Sequence, residues 1–439
     1  MPVVYIETYG CQMNVADTEL ILGHLARSGF ARTDDPGAAD VILVNTCAIR
    51  EHAEERVHGR LTQLARYKTA RPEVQIGLAG CMAQHYRDRL LDAAPLLDFV
   101  VGPDAYRRLP ALLGGDPFVD VRLDRDETYA DIAPARATGV RAWITIMRGC
   151  DRFCTFCVVP YVRGRERSVP AAGVLEQVRG AARDGFREVV FLGQTVNAYR
   201  DGDVDFGELL RRAHVVDDIA RIRFTSPHPS DMRASVIEAM ATCERICPQL
   251  HLPLQSGSTD VLRRMERGYT AEEYVALVDR LRTAVPGLAL TTDIIVGFPG
   301  ETEADFDATL ALMRAVRYDG AFMFKYSRRE LTRAAKWDET VPEVEKERRL
   351  QAVIAQQERI AAEINAAAIG SEVEVLVEGP ARRTAGWLAG KTRQFKTAVF
   401  PDPAAEPGDL VRVRVHDSTA HTLIGRALET RDAGLAAES

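Results

Sequence analysis

From Val3 to Tyr326 short apolar runs alternate with amphipathic helical stretches, and this alternation limits the chain to parallel, crossover-linked sheets. In the first block, Val3 to Thr8 reads as a strand and Thr18 to Leu22 as helix. Asp40 to Asn45 is a second strand, followed by a charged helix from Glu51 to Tyr67. Val74 to Ala79 and Leu97 to Val101 complete a doubly wound arrangement. Right-handed crossovers put the carboxyl ends of such strands on one edge of the sheet, where ligand sites of open α/β sheets lie.

The alternation resumes at Val140 to Met147. It continues through Glu188 to Leu192, Ala220 to Phe224, Leu250 to Leu254, Leu288 to Val296 and Ala321 to Tyr326, with helices such as Glu272 to Ala284 between. Six β/α units are too few for a closed eightfold barrel, so a partial (β/α)6 barrel is expected, with its chemistry at the strands' carboxyl ends. A charged helix from Pro342 to Ile369 stops at Gly370. Short β runs follow at Glu372 to Val377, Lys396 to Phe400, Leu410 to Val415 and Thr422 to Ala427, the pattern of a small antiparallel β-barrel.

A chain of 439 residues exceeds one ordinary core. The expected division is an N-terminal domain over 1–120, a barrel with its following helix over 136–369, a small barrel over 370–432 and a tail over 433–439. The hydrophobic and charged fractions, 46% and 27%, are those of a globular protein. No apolar run approaches the roughly 18 residues of a membrane helix. Met1 to Glu7 also lacks the basic and apolar regions of a secretory signal, so a cytoplasmic protein without membrane partners is expected. A net charge of −7 means that any nucleic-acid contact must come from a local basic surface. The stretch Arg382 to Lys396 offers one: Arg382, Arg383, Lys391, Arg393 and Lys396 with Trp387 and Phe395 interleaved and no acid. Taken alone, a solvated edge with two core aromatics explains it equally well.

The eight cysteines fall into three sets. Cys150, Cys154 and Cys157 have the spacing C-x3-C-x2-C directly after the first barrel strand. Three thiolates serve three irons of a [4Fe–4S] cluster and leave the fourth open. A structural zinc ion wants four closed ligands, and no further Cys or His lies between Cys157 and His214. Cys11, Cys47 and Cys81 each lie just beyond a strand of the first block and can converge at one sheet edge; on the residues alone, buried thiols are the commoner reading. Cys243 and Cys247 have no third ligand nearby, and Pro248 argues that their helix has ended, so they read as structural thiols. Tyr9 reads as a packing residue.

Long segments support a more specific reading. The run RGCDRFCTFCVVPYVRGRERS (Arg148 to Ser168) is similar, almost letter for letter, to the methylthiotransferase branch of the radical S-adenosylmethionine (SAM) superfamily. So are TYGCQMN (Thr8 to Asn14), NTCAIREHAEERV (Asn45 to Val57), GCMAQ (Gly80 to Gln84), HLPLQSGS (His251 to Ser258) and TTDIIVGFPGETE (Thr291 to Glu303). Within the branch, TYGCQMN and NTCAIRE resemble the tRNA-2-methylthio-N6-dimethylallyladenosine synthases. The resemblance covers essentially residues 3 to 430.

That resemblance implies a flavodoxin-like N-terminal domain, a radical SAM partial barrel and a C-terminal RNA-binding TRAM barrel. It implies two [4Fe–4S] clusters, one on Cys150, Cys154 and Cys157 with SAM on the open iron, and an auxiliary one on Cys11, Cys47 and Cys81. The implied reaction converts N6-dimethylallyladenosine at position 37 of tRNA, 3′ of the anticodon, to its 2-methylthio derivative. It uses two SAM, a sulfur donor and a flavodoxin-like or ferredoxin-like electron donor. The TRAM identity favours RNA contact through Arg382 to Lys396. By position at the strand ends, Gln194, Gln255, Ser256 and Asp293 are candidate SAM contacts. Arg163, Arg165 and Arg167 are placed to meet a SAM carboxylate or tRNA phosphate, or simply solvent. Two stretches depart from the family pattern, YSRRELTRAA (Tyr326 to Ala335) and GQTVNAY (Gly193 to Tyr199). The alternatives are the same chemistry on threonylcarbamoyl-adenosine or a ribosomal protein, and a non-catalytic, metal-stabilised RNA-binding protein.

Overall fold

The computed structural model describes residues 1–47, 51–402 and 404–428, and only the backbone of 51–55. Its first layer is a six-stranded, all-parallel sheet. In spatial order the strands are Ala31–Arg32, Val3–Tyr9, Val41–Thr46, Gln75–Gly80, Phe99–Val101 and Phe118–Asp120. The sequence pattern finds the central four. The two edge strands, two and three residues long, are too short for any periodicity. Alternate strand residues feed two cores: Leu43, Phe99 and Val101 face one, and Ile42, Val44, Ile76 and Leu78 the other. Both faces of the sheet are therefore buried, as a parallel sheet requires.

The barrel strands are Arg141–Thr145, Glu188–Leu192, Arg221–Phe224, Gln249–His251, Ala289–Val296 and Gly320–Lys325. They form two three-stranded parallel sheets joined by a parallel bridge between Ile222 and Ile246. One core unites the outward strand residues, such as Ile144, Val189, Phe191, Ile222, Leu290 and Ile294, with the surrounding helices. The helix Glu343–Ala366 packs along the last strand.

Two neighbours fill part of the inner face that a closed barrel would fill with its own side chains. Met13 and Ala16, on the helix Gln12–Arg27, pack against Val190 and Leu192. The Thr145 hydroxyl reaches Met13 Sδ at 3.5 Å. The N-terminal domain thus covers the inner face of the first two barrel strands.

The C-terminal unit is a closed five-stranded barrel, in the order Glu372–Pro380, Trp387–Thr392, Thr397–Pro401, Thr422–Ala427 and Leu410–Ser418. It departs from a purely antiparallel barrel at one pair, Thr397–Pro401 with Thr422–Ala427, which is parallel. The strand Trp387–Thr392 lies within the basic stretch. Among the described residues no helix is long and apolar enough to cross a membrane.

Candidate functional site

Cys11, Cys47 and Cys81 follow Tyr9, Thr46 and Gly80, which end three adjacent strands and pair in register across the sheet edge. Side chains of the same motifs tie the loops together. Asn14 Nδ2 donates to the Thr46 carbonyl at 3.0 Å, Asn45 Nδ2 donates to the Asn14 carbonyl at 2.8 Å, and the Cys11 N–H donates to Asn14 Oδ1 at 3.3 Å. Gly10 has a φ of 148°, and a Cβ there would sit 2.7 Å from Cys47 Cβ. Only glycine lets the Cys11 loop approach Cys47 this closely. A hydrogen bond with Cys47 brings the Cys11 thiol down to about 6, against the cost of burial and with help from Arg163. Burial raises Cys81, whose sulfur accepts from Arg163 Nε at 3.0 Å.

Cys150, Cys154 and Cys157 lie on the loop after the first barrel strand. Gly149 has a φ of 75°, and a Cβ there would meet the Arg165 carbonyl at 1.9 Å. The loop is held by Cys150 N–H to Gly164 O at 3.1 Å, Thr155 N–H to Met265 O at 3.1 Å and Thr155 Oγ1 to Arg264 O at 2.9 Å. Burial pushes the Cys157 thiol up to about 12, with Cys154 and Cys150 adding to the rise. Burial also raises Cys150, opposed by Thr195, whose hydroxyl lies 3.2 Å from Cys150 Sγ. Arg267 Nη1 donates to Cys154 Sγ at 3.4 Å. Thr195 and Arg267 were not legible as site residues, because each reaches its cysteine from a loop remote in sequence, Thr195 after the second barrel strand and Arg267 between the helices Thr259–Arg264 and Ala271–Ala284. Among the described residues no group of three or more His, Cys, Asp or Glu could hold a single metal ion. A four-iron cube makes a different demand, since each thiolate binds a different iron.

The other sequence-expected residues divide. Gln194 keeps a buried side-chain oxygen without a protein partner, at the end of the second barrel strand. Gln255 sits in the left-handed region at φ 74°, its backbone paired with Asp293 and Ile295. Asp293 Oδ2 lies 3.3 Å from His251 Nε2 on the inner barrel face. Register puts Phe322 beside Asp293, and its ring meets the His251 ring edge-on at 5.8 Å between centroids. Phe322 and Phe324 are exposed there, at 56% and 38%. His251, Phe322 and Phe324 are inner-face residues the sequence reading did not select.

The remaining residues are placed by burial. Ser256 is fully buried; its hydroxyl lies 3.4 Å from Thr309 Oγ1 and accepts from the Ser258 N–H at 3.2 Å. Arg163 and Arg167 are buried ion-pair residues, held by Asp17 and Asp104, while Arg165 stays at the surface with Asp151. The basic stretch splits: Arg382 and Arg383 are exposed, whereas Lys391, Arg393 and Lys396 turn toward the barrel floor. There Arg223 donates to the carbonyls of Thr392 and Arg393, both at 2.8 Å, and Arg221 to that of Lys391 at 2.6 Å. The Phe395 ring lies under Arg223, Lys391 and Arg141 at 4.8, 4.8 and 5.1 Å. These basic residues join two domains because buried arginines on the barrel need carbonyl acceptors.

Cys243 and Cys247 are buried, beyond a helix that ends at Thr242. Tyr9 donates to Glu7 at 2.8 Å, a structural contact. In the divergent stretch, the Ala334 N–H donates to the Thr155 carbonyl at 2.9 Å, and Glu330 pairs with Arg89 of the first domain at 3.1 Å. That stretch therefore buttresses the Cys154–Cys157 loop.

Comparison with known proteins follows the same three divisions. Residues 3–102 match the uncharacterized protein family UPF0004, residues 144–313 the radical SAM superfamily and residues 367–428 the TRAM domain. A tRNA-2-methylthio-N(6)-dimethylallyladenosine synthase of Chloroherpeton thalassium is 45% identical over 97% of this chain and 96% of its own length. The synthase of the same name from Cereibacter sphaeroides is 44% identical over 97% and 98%. The chain belongs to this synthase family. As a family member it is a radical SAM enzyme, and its three matched segments coincide with the three units described above. Among solved structures, the radical SAM methyltransferase TsrM from Kitasatospora setae, with cobalamin and a [4Fe–4S] cluster bound, aligns with a TM-score of 0.56. The alignment has 14% identity and covers 89% of this chain and 81% of that one. The cobalamin-dependent SAM radical enzyme OxsB aligns at 0.55 with 12% identity, over 81% and 56%. At such identities these likenesses concern the fold alone.

Proposed function

We propose that this chain attaches a methylthio group to C2 of N6-dimethylallyladenosine at position 37 of tRNA, with Cys150, Cys154 and Cys157 holding one [4Fe–4S] cluster and Cys11, Cys47 and Cys81 a second. The observation that carries the reading is the joining of the two cysteine-bearing segments, from two domains, through the buried Asp17. Arg148 Nη2 lies 2.7 Å from Asp17 Oδ1, and Arg163 Nη1 lies 2.6 Å from Asp17 Oδ2. The first cluster and SAM supply a carbon-centred radical, chemistry that side-chain acids and bases cannot provide for an unpolarised adenine C–H.

The chain's own residues bind, orient and shield. Thr195 and Arg267 touch two of the three thiols, and Gln194 offers its buried oxygen toward SAM. Gln255 and Asp293 remain candidate SAM contacts at the fourth and fifth strands. The first domain covers the inner face of the first two barrel strands. The face formed by the fourth to sixth strands, with His251, Asp293, Phe322 and Phe324, is left for the modified base, whose dimethylallyl group suits the two phenyl rings. Arg382 and Arg383 face solvent where tRNA phosphates can be met. A sulfur donor and a flavodoxin-like or ferredoxin-like reductant complete the stoichiometry. The named relatives favour this target over threonylcarbamoyl-adenosine or a protein side chain.

Anaerobic turnover with SAM, reductant, sulfide and isopentenylated tRNA, read by nucleoside mass spectrometry, tests the reading. The 2-methylthio nucleoside is expected. Formation of 5′-deoxyadenosine alone, with iron intact in both sites, overturns the assignment.

A further inference from the structure

A cationic surplus is buried between the two cysteine sites. Asp17, Arg148 and Arg163 are 0%, 3% and 3% exposed in their side chains. Two guanidinium groups share one carboxylate, since neighbouring Asp104 is matched by its own Arg167. The Tyr106 hydroxyl, 3.5 Å from Asp17, adds no charge. One positive charge is left over, and Arg148 Nε, Arg148 Nη1 and Arg163 Nη1 are buried without an aligned acceptor. Leaving a charge buried and unmatched costs several kcal/mol, roughly, so such an arrangement persists where an anion completes it.

We infer that Arg163 is a positioning residue for the auxiliary site: its guanidinium, fixed by Asp17, neutralises the cluster on Cys11, Cys47 and Cys81 and sets its reduction potential through Cys81. The inference rests on the reading of those cysteines as cluster ligands. Three thiolates on an oxidised four-iron, four-sulfide core, itself a dication, leave one net negative charge, which matches the surplus. Arg163 Nε already donates to Cys81 Sγ at 3.0 Å, and charge and N–H···S bonds are the levers that raise a cluster's potential. Arg163 also ends the helix Val159–Arg163 just beyond Cys157, and Arg148 lies two residues before Cys150. The same salt bridge therefore fixes the auxiliary site relative to the loop that carries the other trio.

The test uses the full chain with Cys150, Cys154 and Cys157 replaced by Ala, reconstituted with iron and sulfide, so that only the auxiliary cluster reports. Iron content, paramagnetic resonance of the reduced cluster and a potentiometric titration are compared for this background and for added Arg163→Gln, Arg163→Lys and Asp17→Asn. Arg163→Gln should lower the potential by at least a tenfold shift in the one-electron equilibrium, about 59 mV. Arg163→Lys should retain part of it, by keeping the charge without the fixed fork. Asp17→Asn should alter the resonance signal by releasing the guanidinium. Loss of the cluster in Arg163→Gln with retention in Arg163→Lys also supports the inference. Unmoved potential and signal in an iron-loaded Arg163→Gln overturn it alone. Absence of iron in the unsubstituted background overturns the auxiliary-cluster reading and the inference with it.

Discussion

Lys396 Nζ lies 2.7 Å from Asp319 Oδ1, joining the small C-terminal barrel to the residue that precedes the last strand of the radical SAM barrel. The same ammonium donates to Asn365 Oδ1 at 2.8 Å, on the helix that links the two domains. With the Arg221 and Arg223 contacts to residues 391–393, this pair makes the C-terminal barrel the floor of the enzyme.

Two sets of basic residues should therefore respond differently. Replacing Arg382 and Arg383 by Ala should leave the unfolding temperature unchanged and flatten the salt dependence of tRNA binding. The slope of log K against log salt should fall by about 1.4–1.8 if both meet phosphate. Replacing Lys391, Arg393 and Lys396 should instead lower the unfolding temperature. An unaltered slope in the first variant would remove Arg382 and Arg383 from the RNA surface.

Removing residues 370–439 should abolish tight tRNA binding and leave both cysteine trios in place, because that segment holds no cysteine. It should also strip Arg221 of its acceptors and Arg223 of its two carbonyl acceptors. Reduced solubility and earlier thermal unfolding of an iron-replete protein are expected, measured by calorimetry beside iron analysis.

Replacing Cys11, Cys47 and Cys81 together by Ala should remove ~4 irons per chain while SAM cleavage to 5′-deoxyadenosine continues and methylthiolation stops. The reciprocal variant at Cys150, Cys154 and Cys157 should keep the auxiliary iron and lose both reactions. Gly149→Ala should resemble the reciprocal variant. Its Cβ has no room beside the Arg165 carbonyl, and its positive φ adds about 1–3 kcal/mol of strain. Full cluster occupancy in Gly149→Ala would show that the loop tolerates a different path.

Glu188 is buried between Arg141 and Arg223 beneath the barrel. Burial raises its pKa, but Arg223 and Arg141 outweigh burial and the net value is lowered. A lowered folded value means that the carboxylate contributes stability above its unfolded pKa, about 4.3, and loses it as pH falls through the folded value. Glu188→Gln should destabilise the protein by about 3 kcal/mol at pH 7, from two arginines left short of charge. That difference should hold from pH 8 to pH 5 and shrink only below about 4.3. Urea unfolding of the metal-free chain across this range reads it directly.

Replacing Phe322 and Phe324 by Ala should erode the preference for isopentenylated over unmodified tRNA. An apolar pocket contact of this kind is worth about 1–3 kcal/mol in kcat/KM discrimination. Equal loss on both substrates would assign the two rings to packing instead.

Local pattern carried much of this protein. Short apolar runs alternating with helices of 3.6-residue period located the four inner strands of the first sheet and all six barrel strands, and strand-end position allowed Cys11, Cys47 and Cys81 to share one edge. Those features are legible because each depends on residues within a few positions of one another. The destination of a charged side chain is not of that kind. Arg221 finds Glu374 across 153 residues and Arg163 finds Cys81 across 82, so basic residues that read as an RNA face or a SAM contact became domain joints. Arg382 and Arg383 stay exposed while Lys391 and Lys396 do not, although all four belong to one basic run. Burial imposes the difference: a guanidinium or ammonium withdrawn from water must find an acceptor, and only the packed arrangement of the three domains decides which acceptor lies within reach.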